Sequence, residues 1–260
     1  MIFSGLDAAA AVKRNIDTLL DCSSKFRLII EEIRPYAYIV GGFIRDSYFG
    51  KHARDIDIIV DINDEDLRDA INRTQCLYAI NRHGGMKLYL DSIVVDIWTL
   101  GNNWAFKSNS ISLREDSKLH SIAQGCFYNY DSLVIKLKDY RFNFKYFEEF
   151  LNNKELDILE DANYQARNPM LEANILRSFY ISGLYKASFS DRVKTYIFEE
   201  VVNMDLQGKD VWDCLAKTQE QYPKYKKLDG ALIKMKIQEI MKEVISKEPY
   251  LFDISHLITN

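Results

Sequence analysis

The first half of the chain alternates short β-rich apolar runs with helical patterns and glycine turns. The spacing of apolar and polar positions predicts strands at 36–40, 55–61, 86–90 and 93–100, and helices at 43–49 and 64–73. Asn63 is the expected N-cap of the second helix, because its side chain can accept a hydrogen bond from a first-turn amide. Two further short runs, 127–129 and 133–138, predict a small hairpin that turns at 130–132.

The second half of the chain shows helical spacing of apolar residues with few helix breakers. The predicted helices are 144–151, 170–185, 191–202, 211–220 and 228–245. One apolar stripe, expected in a helical core, consists of Leu176, Phe179, Tyr180 and Leu184. The change of pattern near residue 140 predicts an α+β chain, with a mixed-sheet domain at 1–140 and a helical domain at 141–260.

The composition is that of a globular protein, since 47% of the 260 residues are hydrophobic and can bury a substantial core. The formal net charge of -4 lacks the overall basic character of many nucleic-acid-binding proteins. A local lysine cluster lies in the C-terminal third and is either a solvated helix face or a track that binds phosphates. Its members are Lys224, Lys226, Lys227, Lys234, Lys236 and Lys242.

The cysteines and the apolar runs bear on where the protein works. Cys22, Cys76, Cys126 and Cys214 are scattered, which predicts reduced thiols and neither a disulfide framework nor a zinc site. The apolar runs are too short to span a bilayer, and the first residues do not form a secretory signal. We expect a cytoplasmic protein that does not contact membranes. The oligomeric state stays open.

A glycine turn and an Asp-x-Asp strand carry the candidate chemistry. Gly41 and Gly42 follow the first predicted strand, and Asp55 and Asp57 lie in the next one. Residues two apart in a strand share a face, so the two carboxylates project together and can hold a divalent cation. Alone, an Asp-x-Asp is more often the solvent face of an edge strand, and a Gly-Gly more often an ordinary turn. The wider motif decides between these readings.

The wider motif is Gly-Gly-x-x-Arg-Asp from Gly41 to Asp46, then Gly50, then Asp55-x-Asp57. It resembles the head domain of tRNA nucleotidyltransferases and poly(A) polymerases, which carries these elements at the same spacing. The resemblance implies a mixed-sheet nucleotidyltransferase head followed by a helical domain. It also implies transfer of a nucleoside monophosphate from a nucleoside triphosphate to an acceptor hydroxyl, with Mg²⁺ or Mn²⁺ as cofactor and pyrophosphate as leaving group.

The resemblance also implies which residues form the site. Asp55, Asp57 and Asp96 are the expected catalytic and metal-binding residues, and Asp96 interrupts an otherwise apolar run. Asp91, at the turn between the third and fourth predicted strands, is an alternative third carboxylate. The expected nucleotide-binding residues are Gly41, Gly42, Arg45, Asp46, Arg54, Lys118 and Arg177.

Several charged residues keep two interpretations. Arg45 and Asp46 either contact the phosphates and the sugar or make surface contacts on a short helix. Arg54 either touches the substrate or balances the acidic cluster. His120 is expected to be a packed or surface histidine rather than a catalytic base.

Two segments depart from the family pattern. Residues 117–123 stand where the family carries an Arg-Arg-Asp-Phe-Thr-Ile-Asn type of segment, with Lys118 in place of an arginine and Ala123 in place of the asparagine. In the neck helix, Arg177 matches one family arginine, and Tyr180 stands at the second. We expect the longer body and tail of the tRNA-maturing enzymes to be absent, and full CCA addition is not expected.

RNA is the expected acceptor, with a tRNA 3′ end as one candidate. The same head could instead modify a hydroxyl of a small molecule or a protein, and the acidic net charge leaves this alternative open. A non-catalytic nucleotide-binding module is a third hypothesis, which would be favoured if the three aspartates lay too far apart to bind metal. The sequence does not decide which base is used or how many nucleotides are added.

Overall fold

The computed structural model describes residues 3–81, 84–90, 93–107, 111–159, 171–247 and 257–258. The chain divides into two compact units, Met1–Leu151 and Asn152–Asn260. This division lies after the boundary expected near residue 140, and a domain boundary at 140 stays a prediction.

The first unit combines a sheet with helices. Its elements are α1 (Gly5–Cys22), α2 (Ser24–Ile33), β1 (Ala37–Val40), α3 (Gly42–Tyr48), β2 (Asp55–Val60), α4 (Asp64–Arg73), β3 (Tyr78–Ile80), β4 (Met86–Leu90), β5 (Ile93–Thr99), α5 (Trp104–Lys107), α6 (Lys118–Gln124), β6 (Val134–Lys136), β7 (Phe142–Asn143) and α7 (Lys145–Asn153), which runs across the division.

The sheet has seven strands among the described residues, in the order β3-β4-β5-β2-β1-β6-β7. The pair β2–β5 is parallel, and the other neighbouring pairs are antiparallel. The parallel pair requires a long crossover, which α4, β3 and β4 supply between β2 and β5. The mixed sheet confirms the predicted α+β fold class.

The two faces of the sheet are buried to different extents. On one face, Ile56 and Ile58 of β2 are fully buried. On the other face, Ile59 packs in an apolar cluster with Ile122 and Ala123 of α6. Because residues two apart share a face, Asp55 and Asp57 lie on the α6 side of the sheet, where both are only partly buried.

The two N-terminal helices were not among the sequence predictions. Helix α1 starts where the Ser4 side chain accepts a hydrogen bond from the amide of Asp7, and it buries Ala8, Val12 and Ile16. This periodicity and cap are visible in the sequence. Helix α1 packs on α3, and α3 packs on β1 and β2, so α1 supports the turn that carries Gly41 and Gly42.

The predicted hairpin of 127–129 with 133–138 is wrong. Residues Asn129–Asp131 form a 3-10 turn, in which the Ser132 hydroxyl donates to the Asn129 carbonyl at 2.6 Å. Strand β6 instead pairs with β1 and with β7. The apolar residues of 127–129 are buried in this turn and its approach, and burial alone does not distinguish a strand from a buried turn.

The second unit is mainly helical. Its elements are β8 (Glu155–Leu156), α8 (Leu171–Tyr185), β9 (Ser188–Phe189), α9 (Asp191–Leu206), α10 (Val211–Gln221) and α11 (Gly230–Lys247). Strands β8 and β9 form a small parallel pair. The side chains of Ser190 and Asp210 cap α9 and α10. These helices confirm the helical second half.

Within α8, Leu176 and Phe179 of the predicted stripe are buried, but Leu184 is 58% exposed. Its assignment to the core is therefore wrong, because it lies in the last turn of the helix. Among the described residues, the four cysteines form no disulfide with one another. In the part of the chain that the structure describes, no helix is long and apolar enough to cross a membrane.

Glu200 is a buried acid on α9. Burial, followed by repulsion from Glu199 and Glu172, raises the pKa of its carboxyl group to about 7. A folded-state pKa above the unfolded value means that the folded protein holds the proton more tightly. Stability is therefore highest below the ordinary pKa and falls as the pH rises towards 7.

We expect Glu200→Gln to remove this loss of stability. At pH 8 the variant should exceed the parent protein in free energy of unfolding by about 1–3 kcal/mol, and the difference should vanish near pH 4. Urea unfolding at several pH values measures both. Glu149→Gln, at an exposed position, is the control. Parallel stability curves of the Glu200 variant and the parent across pH 4 to 8 would contradict the assignment.

Candidate active site

Asp55, Asp57 and Asp96 lie on the same face of the sheet, on its adjacent central strands β2 and β5. Asp57 of β2 is the direct register partner of Asp96 in β5, and on its other side it opposes Val40 of β1. Neighbouring strands are about 4.8 Å apart, so the two carboxylates start side by side. Asp55 lies two residues before Asp57 on the same face. The backbone therefore brings the predicted carboxylates together.

Cations hold two of these carboxylates. Arg54 donates to the carboxylate of Asp55 through Nε at 2.9 Å and a terminal nitrogen at 2.5 Å. The ammonium of Lys87 lies 3.2 Å from a carboxylate oxygen of Asp96. Arg54 therefore balances the acidic cluster, one of its two predicted roles, and contact with substrate stays a prediction.

Lys87 was missed by sequence reasoning. The alternation along β4 buries Met86, Leu88 and Leu90 and places Lys87 on the other face, which was readable from the sequence. Its pairing with Asp96 was not readable, because it depends on the register of β4 with β5.

The donor set has the right chemistry for a divalent cation, since carboxylate oxygens are the ligands that Mg²⁺ prefers. Among the residues that the structure describes, no group of three or more His, Cys, Asp or Glu side chains is arranged to hold a metal. The backbone register thus places the carboxylates side by side, but their side chains are not arranged around a common metal position. One oxygen of Asp55 contacts Arg54 and one oxygen of Asp96 lies near Lys87, and a bound metal would draw on both of these carboxylates.

The glycine turn lies beside the carboxylates, because Gly41 directly follows the residue that opposes Asp57. Gly41 adopts φ 68° and ψ -123°, and its amide donates to the Leu133 carbonyl at 2.8 Å. This backbone conformation is open to glycine and costly for other residues. Gly42 begins α3, and a side chain there would meet only the guanidinium of Arg45, at 3.5 Å.

Arg45 and Asp46 support the turn from α3. The Arg45 guanidinium lies 4.2 Å from the centre of the Tyr130 ring, and one of its nitrogens is 3.9 Å from the Asp131 carboxylate. That nitrogen is buried, and it has no hydrogen-bond partner among the described residues. The Asp46 carbonyl accepts from the Lys51 amide at 2.8 Å, which closes the loop around Gly50. Arg45 is therefore anchored in the protein, and its contact with phosphate stays a prediction, as does that of Asp46.

Lys118 lies away from the carboxylates. Its ammonium forms ion pairs with Asp61, which follows the C-terminal end of β2, and with Glu115. Burial lowers the pKa of Lys118, but the hydrogen bonds to these two acids outweigh burial and raise the pKa to about 12. Asp61 is four residues beyond Asp57, or about 13 Å along the strand. A role for Lys118 in nucleotide binding stays a prediction.

The remaining predicted residues lie elsewhere. Arg177 is a partly buried residue of α8 in the second unit. Asp91 lies outside the described residues. His120 packs with its ring 5.8 Å from that of Tyr146.

Part of the first unit is similar in sequence to a known protein family. Residues 37–115 match the family model of the poly(A) polymerase head domain. The segment is similar to a poly(A) polymerase head domain. The match contains the glycine turn, the three aspartates and both cations paired with them. A search of curated protein sequences finds no significant match.

Solved structures of CCA-adding enzymes share the fold of the matched segment and of the region that follows it. A complex of a CCA-adding enzyme with ATP matches with a TM-score of 0.57 and 17% identity, over 86% of this chain and 52% of that one. The Thermotoga maritima CCA-adding enzyme complexed with tRNA matches with a TM-score of 0.59 and 16% identity, over 92% and 57%. The chain thus spans little more than half the length of these proteins.

The head domain offers a direct test of the glycine turn. Gly41→Ala places a side chain at a positive φ and should lower the free energy of unfolding by about 1–3 kcal/mol. Gly42→Ala, in a helix and with only an ordinary contact, should leave stability nearly unchanged. Thermal unfolding of the two variants measures the difference. Equal melting temperatures would show that the conformation of Gly41 is not specific to glycine.

Proposed function

We propose that the protein is a metal-dependent nucleotidyltransferase that transfers a nucleoside monophosphate from a nucleoside triphosphate to an acceptor hydroxyl, with RNA as the acceptor. A tRNA 3′ end is the leading candidate within that class. The head-domain match and the folds of CCA-adding enzymes solved with ATP, with CTP and with tRNA support the proposal.

The observation that carries the proposal is the register of β2 with β5, which sets Asp57 beside Asp96 with Asp55 on the same face. Asp55, Asp57 and Asp96 would hold Mg²⁺ or Mn²⁺. When bound, the metal neutralises the phosphates and activates the attacking hydroxyl. A non-catalytic module would not need three carboxylates aligned in this way beside a turn without side chains.

The residues of the chain have separate tasks in this reaction. The Gly41–Gly42 turn lets the triphosphate approach the backbone closely, because no side chain intervenes. Arg54 is exposed enough to turn from Asp55 towards a phosphate, as its side chain is 83% accessible. The acceptor oxygen bonds to the α-phosphorus, the bond from that phosphorus to pyrophosphate breaks, and the hydroxyl proton is released.

The reaction can be tested with the purified protein, Mg²⁺, total cellular RNA and each α-labelled nucleoside triphosphate in turn. Label in RNA would support the proposal, and its size class would identify the acceptor. Label on a small molecule or on protein would replace the RNA acceptor with that class. No transfer to any acceptor, with intact binding of triphosphate, would indicate a nucleotide-binding module.

Asp57→Asn should reduce transfer by roughly 10²-fold or more, because metal neutralisation of the phosphates supplies several kcal/mol. The fold should be retained, since Asp57 is partly exposed. Single-turnover rates with the labelled triphosphate measure the effect. Asp69→Asn, an exposed position on α4, is the matched control. A rate for Asp57→Asn within threefold of the control would contradict a role for this carboxylate in catalysis.

The second unit is proposed to select the acceptor through its lysines. The carboxylate face repels a polyanion unless metal is bound, whereas Lys224, Lys226 and Lys227 are exposed on the helical unit. Lys226 pairs loosely with Glu220 at 3.5 Å. The solvated-face interpretation would give these lysines no role in binding.

Replacement of Lys224, Lys226 and Lys227 by glutamine should weaken RNA binding. Each lost contact to a single-strand phosphate should lower the slope of log affinity against log salt by roughly 0.7. Filter binding at several salt concentrations measures the slope.

The matched control replaces three exposed lysines of the first unit, Lys13, Lys25 and Lys138, by glutamine. Binding of triphosphate should be unchanged in both triple variants. Equal RNA affinity and equal salt slope in the two variants would remove the proposed lysine track.

A further inference from the structure

Lys87 and Asp96 form a pair on the same face as the other carboxylates. Lys87 of β4 is the register partner of Asp96, and Asp96 is the register partner of Asp57. The three side chains thus form one row across β4, β5 and β2. The pair is partly accessible, with 38% of the Lys87 side chain and 17% of the Asp96 side chain exposed.

The row is unusual for a metal-binding face because it brings its own cations. Asp96 within the row pairs with Lys87, and Asp55, two residues before Asp57 on the same face, pairs with Arg54. The Lys87 ammonium lies 3.2 Å from one oxygen of Asp96, so a divalent cation that binds this carboxylate must share it with Lys87 or displace Lys87.

The chemistry of lysine suits an exchange of partners. Its ammonium is a compact charge with three donors on a flexible four-carbon stem, so it can leave one anion for another nearby. A triphosphate bound at Asp57 and Asp96 would lie one to two strand spacings from Lys87, or about 5–10 Å, within the combined reach of the side chain and the phosphates. The Lys87 side chain is partly exposed, so the surrounding protein does not block its movement from Asp96 to a phosphate.

We infer that Lys87 is an exchangeable counter-ion: it neutralises Asp96 when no metal is bound, and it moves to the triphosphate when metal takes the carboxylate. The inference rests on the proposed function. It assigns to Lys87 a role in binding the phosphates, together with a role in opposing binding of metal alone. The site would then favour the metal–nucleotide complex over the bare metal, because only the complex gives Lys87 a new anion.

The competing explanation is a cross-strand ion pair that only stabilises the sheet. The two explanations predict opposite changes in metal affinity when the charge of Lys87 is removed. If Lys87 competes with metal, its removal tightens binding of bare metal and weakens binding of triphosphate. If Lys87 is structural, its removal lowers the melting temperature and affects both ligands in the same direction.

The test uses the full chain and Lys87→Met, which keeps the apolar stem and removes the charge. Calorimetry with Mn²⁺ alone should give binding about two- to fivefold tighter than in the parent protein, the range expected for loss of a partly exposed competing ion pair. Titration with Mg²⁺–tripolyphosphate should give binding roughly fivefold weaker or more, because a charge-assisted contact is lost. Lys87→Arg should restore tripolyphosphate binding.

Lys136→Met is the matched control, since Lys136 is a partly buried strand lysine of the same sheet that lies opposite Tyr38, outside the carboxylate row. Melting temperatures within a few degrees of the parent would show that all the variants are folded. Unchanged Mn²⁺ and tripolyphosphate affinities in Lys87→Met would overturn the inference. Weaker binding of both ligands, with a lower melting temperature, would overturn it in favour of the structural pair.

The same measurements separate this inference from the proposed function. Asp57→Asn should lose Mn²⁺ binding whatever Lys87 does. If the parent protein does not bind Mn²⁺, or if Asp57→Asn binds it equally well, both the proposed metal site and the inference fail. If Asp57 is required for Mn²⁺ binding and Lys87→Met behaves like the parent, only the inference fails.

Discussion

The parallel pairing of β2 with β5 is the constraint on which the candidate site depends. Asp57 and Asp96 belong to distant parts of the chain and meet only because the two strands align residue for residue. A slip of one residue would move Asp96 to the opposite face and bring Val95 or Ile97 beside Asp57. Ile97 is fully buried, so the apolar face resists that slip. Hydrophobic burial on one side of the sheet thus sets the position of the carboxylates on the other.

Local patterns allowed much of the fold to be predicted. Helix α4 has the predicted bounds, and β2, β4 and β5 lie within one residue of theirs, because alternation, caps and glycine turns act over a few residues. The partners of Arg45 and of Lys87 could not be predicted in this way. Tyr130 and Asp131 reach Arg45 only because β6 pairs with β1, whereas the sequence predicted that the segment after them would pair with 127–129. Pairing over long sequence separations leaves little trace in a local pattern.

On the face of the sheet that carries the aspartates, side chains of the protein itself balance part of the negative charge. The pairs Arg54–Asp55 and Lys87–Asp96 each bring a cation to a carboxylate that the proposed metal site requires. Three adjacent carboxylates repel one another, and the two ion pairs reduce this repulsion in the folded sheet. The same pairs involve two of the carboxylates that the proposed reaction uses. The same residues therefore connect stability and function. The effect of replacing Arg54 or Lys87 should therefore be measured both on ligand affinity and on the free energy of unfolding.

The face of the sheet that carries the aspartates changes from polar to apolar within two residues along each strand. On β2, Asp57 is followed on the same face by Ile59, and on β5 Asp96 is followed by Trp98. Ile59 and Trp98 pack against the cluster that contains Ile122 of α6. Helix α6 therefore covers one end of this face and leaves the other end accessible, beside the Gly41–Gly42 turn. Because the covered end is apolar, the proposed metal and triphosphate would approach this face at the other end, where carboxylate oxygens and backbone without side chains meet.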